Sequence, residues 1–153
     1  MNIGTMLEAA EAADPARVAL IIDGAAIGYG ELAATVRRCA AGLADRGVVA
    51  GQRVAVVDGG SLLSIAAVLG AARIGAAAAL MNPALTPPEL RGLLTAAGCA
   101  DVAVAGEPYA DRLRNAGART VLGAELLEGA DAAAPAGSDD RDALVLFTSG
   151  TTG

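Results

Sequence analysis

An α/β fold, layered, with a largely parallel sheet and flanking helices, is what this 153-residue sequence predicts, and three observations predict it. Short apolar runs of four to six residues alternate along the chain with longer stretches of helical period, the pattern of a parallel sheet built by crossovers. Glycine, proline and Asp/Asn punctuate nearly every transition. The composition is 54% hydrophobic but only 2% aromatic, so Ala, Val, Leu and Ile must fill the interior, and side chains that small let helices approach a sheet closely.

Taken in order, Ile3, Met6, Leu7 and Ala10 recur at helical spacing with Glu8 and Glu11 off the stripe, giving an amphipathic first helix that Asp14-Pro15 ends. Val18 to Ile22 and Ala25 to Gly28 are short strands joined by Asp23-Gly24, which predicts a hairpin. Tyr29 opens a helix whose apolar face is Leu32, Val36, Cys39 and Leu43 and which Gly47 closes. Arg53 to Val57 is an apolar strand, and Ser61 after the turn Asp58-Gly59-Gly60 is placed to cap a helix from Leu62 to Ile74 that Gly75 ends. Ala76 to Met81 is a buried strand. Thr86-Pro87-Pro88-Glu89 carries a capping box with proline at the first helical position, the sharpest helix start in the chain; Leu90, Leu93, Leu94 and Ala97 are that helix's apolar face and Gly98 its stop. A strand over Asp101 to Ala105, a helix near Pro108 to Asn115, a strand near Arg119 to Leu122 and a helical turn through Leu127 complete the first 128 residues, one α/β subdomain.

Residues 129–142 change character, being small, acidic and aperiodic, and are expected to form an exposed linker. Asp139, Asp140 and Asp142 could be imagined on a magnesium ion, but neighbouring carboxylates in a solvated linker do not preorganise a metal shell. Residues 143–153 form the last unit. Leu144 to Phe147 is expected to be a buried strand, feeding the loop Thr148, Ser149, Gly150, Thr151, Thr152 and Gly153. Two glycines there permit a tight return and close approach to a ligand, and four hydroxyls with free N–H groups supply donors with no carboxylate to repel an anion. Such a loop suits phosphate. It is not the lysine-bearing nucleotide loop G-x-x-x-x-G-K-[ST], because this chain contains no lysine.

Bulk properties exclude several classes of function. Eleven scattered arginines against seventeen acids give a net charge of −6 and no basic stripe, which argues against nucleic acid or an anionic membrane as partner. Cys39 and Cys99 have no CxxC or histidine company, so neither zinc nor a disulfide framework is expected, and both read as buried thiols. Acidic residues at the N-terminus do not fit a secretory signal, so a cytoplasmic location is expected. Ser61 to Leu80 approaches the ~20 residues of a membrane span, but Arg73, Gly70, Gly75, two serines and many alanines make it weakly apolar, and it reads as a buried helix and strand.

The strand followed by Thr148-Ser149-Gly150-Thr151-Thr152-Gly153 resembles the ATP-phosphate loop of the adenylate-forming superfamily: acyl-CoA synthetases, adenylation domains of peptide synthetases and luciferases. Three upstream stretches resemble the same superfamily in the same order. They are Tyr29-Gly30-Glu31-Leu32 with Ala40-Ala41-Gly42-Leu43, then Gly51-Gln52-Arg53-Val54-Ala55-Val56, then Asn82-Pro83 through Thr86-Pro87-Pro88-Glu89-Leu90. Asp58-Gly59 departs from the family's usual proline-asparagine. The resemblance covers nearly the whole chain and implies an incomplete N-terminal part of the adenylate-forming enzyme fold. It implies a two-step ligase, in which a carboxylic acid attacks ATP, with Mg2+, and a thiol, usually coenzyme A, then displaces AMP. A fatty acid is the expected substrate. The family's loop lysine, its Tyr-Gly-x-Thr-Glu segment, its ribose-binding aspartate and the C-terminal domain with its catalytic lysine are expected beyond Gly153, so the resemblance assigns no catalytic residue and no metal ligand here. An inactive, self-associating fragment is the expectation. The alternatives are part of a peptide-synthetase adenylation domain, a non-catalytic remnant or interaction module, and an unrelated anion-binding α/β domain.

Overall fold

The computed structural model describes residues 3–131, 137 and 141–148. Thr5 ends a short 3-10 turn and α1 spans Met6–Ala13. Strands β1 (Val18–Ile22) and β2 (Ala25–Gly28) pair antiparallel, with positive φ at both Asp23 and Gly24, as the Asp-Gly turn requires. Then come α2 (Tyr29–Asp45), β3 (Arg53–Val57), α3 (Leu62–Arg73), β4 (Ala77–Leu80), α4 (Pro87–Ala97), β5 (Val102–Ala105), α5 (Ala110–Ala116), β6 (Thr120–Leu122), α6 (Glu125–Glu128) and β7 (Leu144–Leu146). Among the described residues the main sheet has the order β6-β5-β3-β4-β7, and every pair in it is parallel.

Alternation along the strands feeds two cores. Val54 and Val56 of β3, Ala78 of β4, Val104 of β5 and Leu122 of β6 face α2, α3 and α6, joining Cys39, Leu43, Ala67 and Ala71. Ala55, Val57, Ala79, Ala103 and Ala105 face α4 and α5, joining Leu90, Leu94 and Leu113. The small strand residues matter here. Alanines on β4 and β5 let the helices sit close, and Gly70 of α3 does the same against Ala40 and Cys39 of α2.

Helix boundaries follow the residue chemistry. Ser61 Oγ accepts the Leu63 N–H at 3.1 Å, capping α3. The Thr86–Glu89 capping box forms, with the Glu89 carboxylate accepting from the Thr86 N–H at 2.8 Å. Gly98 turns left-handed to stop α4, and Arg53 Nη1 donates to the freed Ala97 carbonyl at 3.1 Å. No helix among the described residues is long and apolar enough to cross a membrane.

One expectation is corrected. The apolar run Leu144 to Phe147 is not a buried strand but the edge of the sheet: Val145 and Phe147 pack on the α4–α5 core, whereas Leu144 and Leu146 are 40% and 65% exposed. A uniformly apolar run reads as buried on both faces, but among the described residues β7 has a neighbouring strand on one side only and no helix over its second face.

Candidate functional site

Because the main sheet is parallel, the carboxyl ends of β3, β4, β5, β6 and β7 all open at one end, where α/β proteins place their ligands. Thr148 emerges there, exposed, two residues past β7. The last residue pair of the ladder is Leu80 with Leu146, so the chain leaves β7 for Thr148 at the same end of the sheet at which it leaves β4 for Asn82. Of the six loop residues expected to bind phosphate, Thr148 is the one described; Ser149, Gly150, Thr151, Thr152 and Gly153 lie outside the described residues.

The Asn82–Pro83 segment that follows β4 is built tightly. Asn82 Oδ1 accepts the Ala84 N–H at 2.8 Å, closing an Asx turn, and the Met81 N–H donates to Val56 at 3.0 Å. Arg112 of α5 reaches across to donate to the Pro83 and Leu85 carbonyls, which commits its guanidinium to holding this turn. Nothing in the spacing of the sequence pairs Arg112 with Pro83; only the fold does.

Between β3 and β5, where successive crossovers leave in opposite directions, the crevice is filled by the protein itself. Asp58 accepts from the Ser61 N–H at 3.1 Å and from its hydroxyl, so the start of α3 already carries an anion. Partial burial works to raise the Asp58 pKa, but the hydrogen bonds from Ser61, Gly59 and Ser64 outweigh it and hold the carboxyl below its ordinary range. A side chain on Gly106 would collide with that carboxylate, and one on Gly59 would lie 3.3 Å from the Tyr109 hydroxyl.

At the opposite, amino end of the sheet lies a cavity of about 580 Å³ lined by Arg53, Arg141, Asp101, Asp142, Gln52 and neighbouring small residues. Its charges are mixed, with Arg53 3.9 Å from Asp142, so it does not present a single sign to an anion. Asp142, one of the acids weighed as a magnesium ligand, is thus set beside an arginine; Asp139 and Asp140 lie outside the described residues. Among the described residues no three His, Cys, Asp or Glu gather as a metal site. Cys39 and Cys99 are buried, and burial pushes their thiols up to about 12 and about 11, the latter partly offset by Arg53, so neither offers a nucleophile at neutral pH.

The profile of the AMP-binding enzyme family matches residues 7–153. The chain is 35% identical over 152 residues to 4-coumarate–CoA ligase 5 of Oryza sativa subsp. japonica, covering 88% of this chain and 28% of that protein. It is 32% identical over 171 aligned positions to long-chain-fatty-acid–CoA ligase FadD13 of Mycobacterium tuberculosis, covering 99% of this chain and 33% of that protein. The structure of a Mycobacterium tuberculosis fatty acyl CoA synthetase superposes with a TM-score of 0.84 at 26% identity, over 97% of this chain and 32% of that one. The chain therefore spans about a third of the length of these relatives.

Proposed function

The chain belongs to the AMP-binding enzyme family, and from that premise we propose that it is the N-terminal part of a cytoplasmic, ATP-dependent acid–thiol ligase of the acyl-CoA synthetase type, with the loop Thr148–Gly153 holding the phosphates of ATP. The observation that carries the reading is positional. A parallel strand paired to β4 delivers Thr148 to the carboxyl end of the sheet, and the residues that follow are hydroxyls and glycines without a carboxylate.

The chain's own contribution is orientation. Fixed hydroxyl and N–H donors around the β- and γ-phosphates would stabilise charge as pyrophosphate leaves, with no proton transferred by the loop. Magnesium, when bound, neutralises phosphate charge; with no carboxylate cluster among the described residues, no ligand to it is assigned to this chain. Coenzyme A as the acceptor thiol and a fatty or aromatic carboxylic acid as the substrate are consistent with what the two curated relatives are named for. With no lysine anywhere in its sequence, the 153-residue chain cannot supply a lysine charge to the terminal phosphates, and it is expected to be inactive alone.

Two measurements test this. In the intact ligase, Thr148→Ala or Thr151→Ala should lower kcat/KM for ATP by about tenfold or more, as expected for one lost hydrogen bond to a charged group worth about 1.5–3 kcal/mol, with the KM for the acid little changed. Unchanged ATP kinetics in both variants would sink the phosphate role. ATP–pyrophosphate exchange catalysed by the purified 153-residue chain would refute its inactivity.

A further inference from the structure

We infer that Gly137 is a positioning residue: its contact with Gly75 anchors the backbone at Gly137 to the entry of β4 and helps set the register of β7 against β4, and with it the place of Thr148. The inference rests on the phosphate reading only for what the loop binds; the register claim stands without it.

The need for such a fixed point comes from the sequence of β7 itself. Ala143, Leu144, Val145, Leu146 and Phe147 are all apolar, so no alternation of polar and apolar side chains penalises a slip along β4. The pairing is also short. Three residue pairs, Ala78 with Leu144, Ala79 with Val145 and Leu80 with Leu146, hold the strand on one side, and the two leucines remain exposed on the other face. A slip of one residue would carry Thr148 about 3.3 Å along the sheet and exchange the two faces of the strand.

Gly137 supplies a reference point tied to the same strands. Its N–H donates to the Arg73 carbonyl at 2.7 Å, at the end of α3. A Cβ on Gly137 would overlap the N and Cα of Gly75, so backbone lies directly on backbone. Gly75 has φ +77, and its carbonyl accepts the Gly51 N–H at 2.8 Å. Gly51 and Gly75 each stand two residues before their strands, β3 at Arg53 and β4 at Ala77. The contact is therefore made to the entry of both central strands at once. Arg141, close against Gly51, and Asp142, 3.9 Å from Arg53, follow along the same end of the sheet, and the Ala143 carbonyl then accepts the Ala78 N–H at 3.0 Å. Of these contacts the Gly137–Gly75 approach alone is steric and demands a glycine. Arg141 and Asp142 are exposed charges, which give way easily, and the Ala78–Ala143 hydrogen bond belongs to the ladder whose register is in question.

Nuclear magnetic resonance on the labelled chain tests it. In the unmodified protein, cross-strand nuclear Overhauser contacts should join Ala79 to Val145. Gly137→Ala and Gly137→Val should abolish or displace those contacts and raise hydrogen exchange of the β7 amides at least tenfold, while β3 and β5 keep their protection. Unchanged register and protection of β7 in both folded variants would overturn the proposal. Should both variants fail to fold, hydrogen exchange of the unmodified chain decides: the Gly137 amide and the β7 amides should open with the same denaturant dependence, and independent opening would overturn it. In the intact ligase, a displaced register that raises the ATP KM while leaving the acid KM alone supports both the register claim and the phosphate reading. A displaced register with unchanged ATP kinetics supports the register claim and counts against the phosphate reading.

Discussion

Asp58 brings a carboxylate to the turn after β3, and that carboxylate takes the hydrogen-bond donors of Ser61 at the start of α3. Its pKa is depressed in the folded chain. The stabilisation it gives is therefore fully present above the ordinary carboxylate pKa of about 3.9 and is lost as the pH falls through the lower folded value. Asp58→Asn keeps the shape and removes the charge, so it should cost about 1 kcal/mol at pH 7, the scale of a capping interaction with a helix N-terminus. Urea titrations of both proteins should show that difference at pH 7 and a much smaller one at pH 3. An equal gap at both would mean that the charge contributes nothing. Arg37 of α2 ties together segments far apart in the chain. Its guanidinium donates to Asp131 at 2.7 Å and to Glu11 at 2.8 Å, joining α1, α2 and the segment after α6, and the bond to Arg37 holds the Asp131 carboxyl below its usual range.

At the scale of elements, two glycines inside helices separate packing from propensity. Gly70 of α3 faces α2, and a Cβ there would lie 3.0 Å from the Ala40 N and 3.3 Å from the Cys39 side chain. Gly92 of α4 is exposed with open space around it. Gly92→Ala should therefore stabilise the chain by about 0.5–1 kcal/mol through helix propensity and a less flexible unfolded state. Gly70→Val should destabilise it by about 1–3 kcal/mol, the cost of overpacking a close helix contact. Thermal or urea unfolding of the two variants checks the pair, and equal effects would show that the α2–α3 contact is looser than described. The elements were readable because each start and stop has its own local chemistry: Asp23-Gly24, Ser61, Thr86 with Glu89, and Gly98 all act where the sequence places them. Local chemistry does not report a neighbour. Arg112 on Pro83, Arg37 on Asp131 and Gly137 on Gly75 join residues 29, 94 and 62 positions apart, and no spacing rule connects such pairs.

For the molecule as a whole, the parallel sheet followed from the alternation of strands and helices, but the order of the strands did not, and that order decides which strand is left at the edge. Reading Leu144 to Phe147 as apolar was correct; reading it as buried required a neighbour that the described chain does not place there. The consequence is physical. An edge strand with no lysine, proline or charge between Ala143 and Phe147 has a neighbouring strand on one side only among the described residues, beside exposed Leu144 and Leu146, and such edges are where chains associate. Close by, a shallow apolar groove of about 270 Å³ runs along Ile65, Val68, Leu69 and Leu80, extending the same surface. The isolated 153-residue chain is therefore expected to self-associate as its concentration rises. Leu146→Lys places a charge on the exposed edge, where it loses little packing because Leu146 is already 65% exposed. It should lower the sedimentation coefficient toward that of a monomer while leaving the thermal midpoint nearly unchanged. A wild-type chain that sediments as a compact monomer at every concentration would show that the open edge is protected by something other than a second copy. A variant that lost its thermal midpoint instead would place Leu146 in the folding core rather than on the surface.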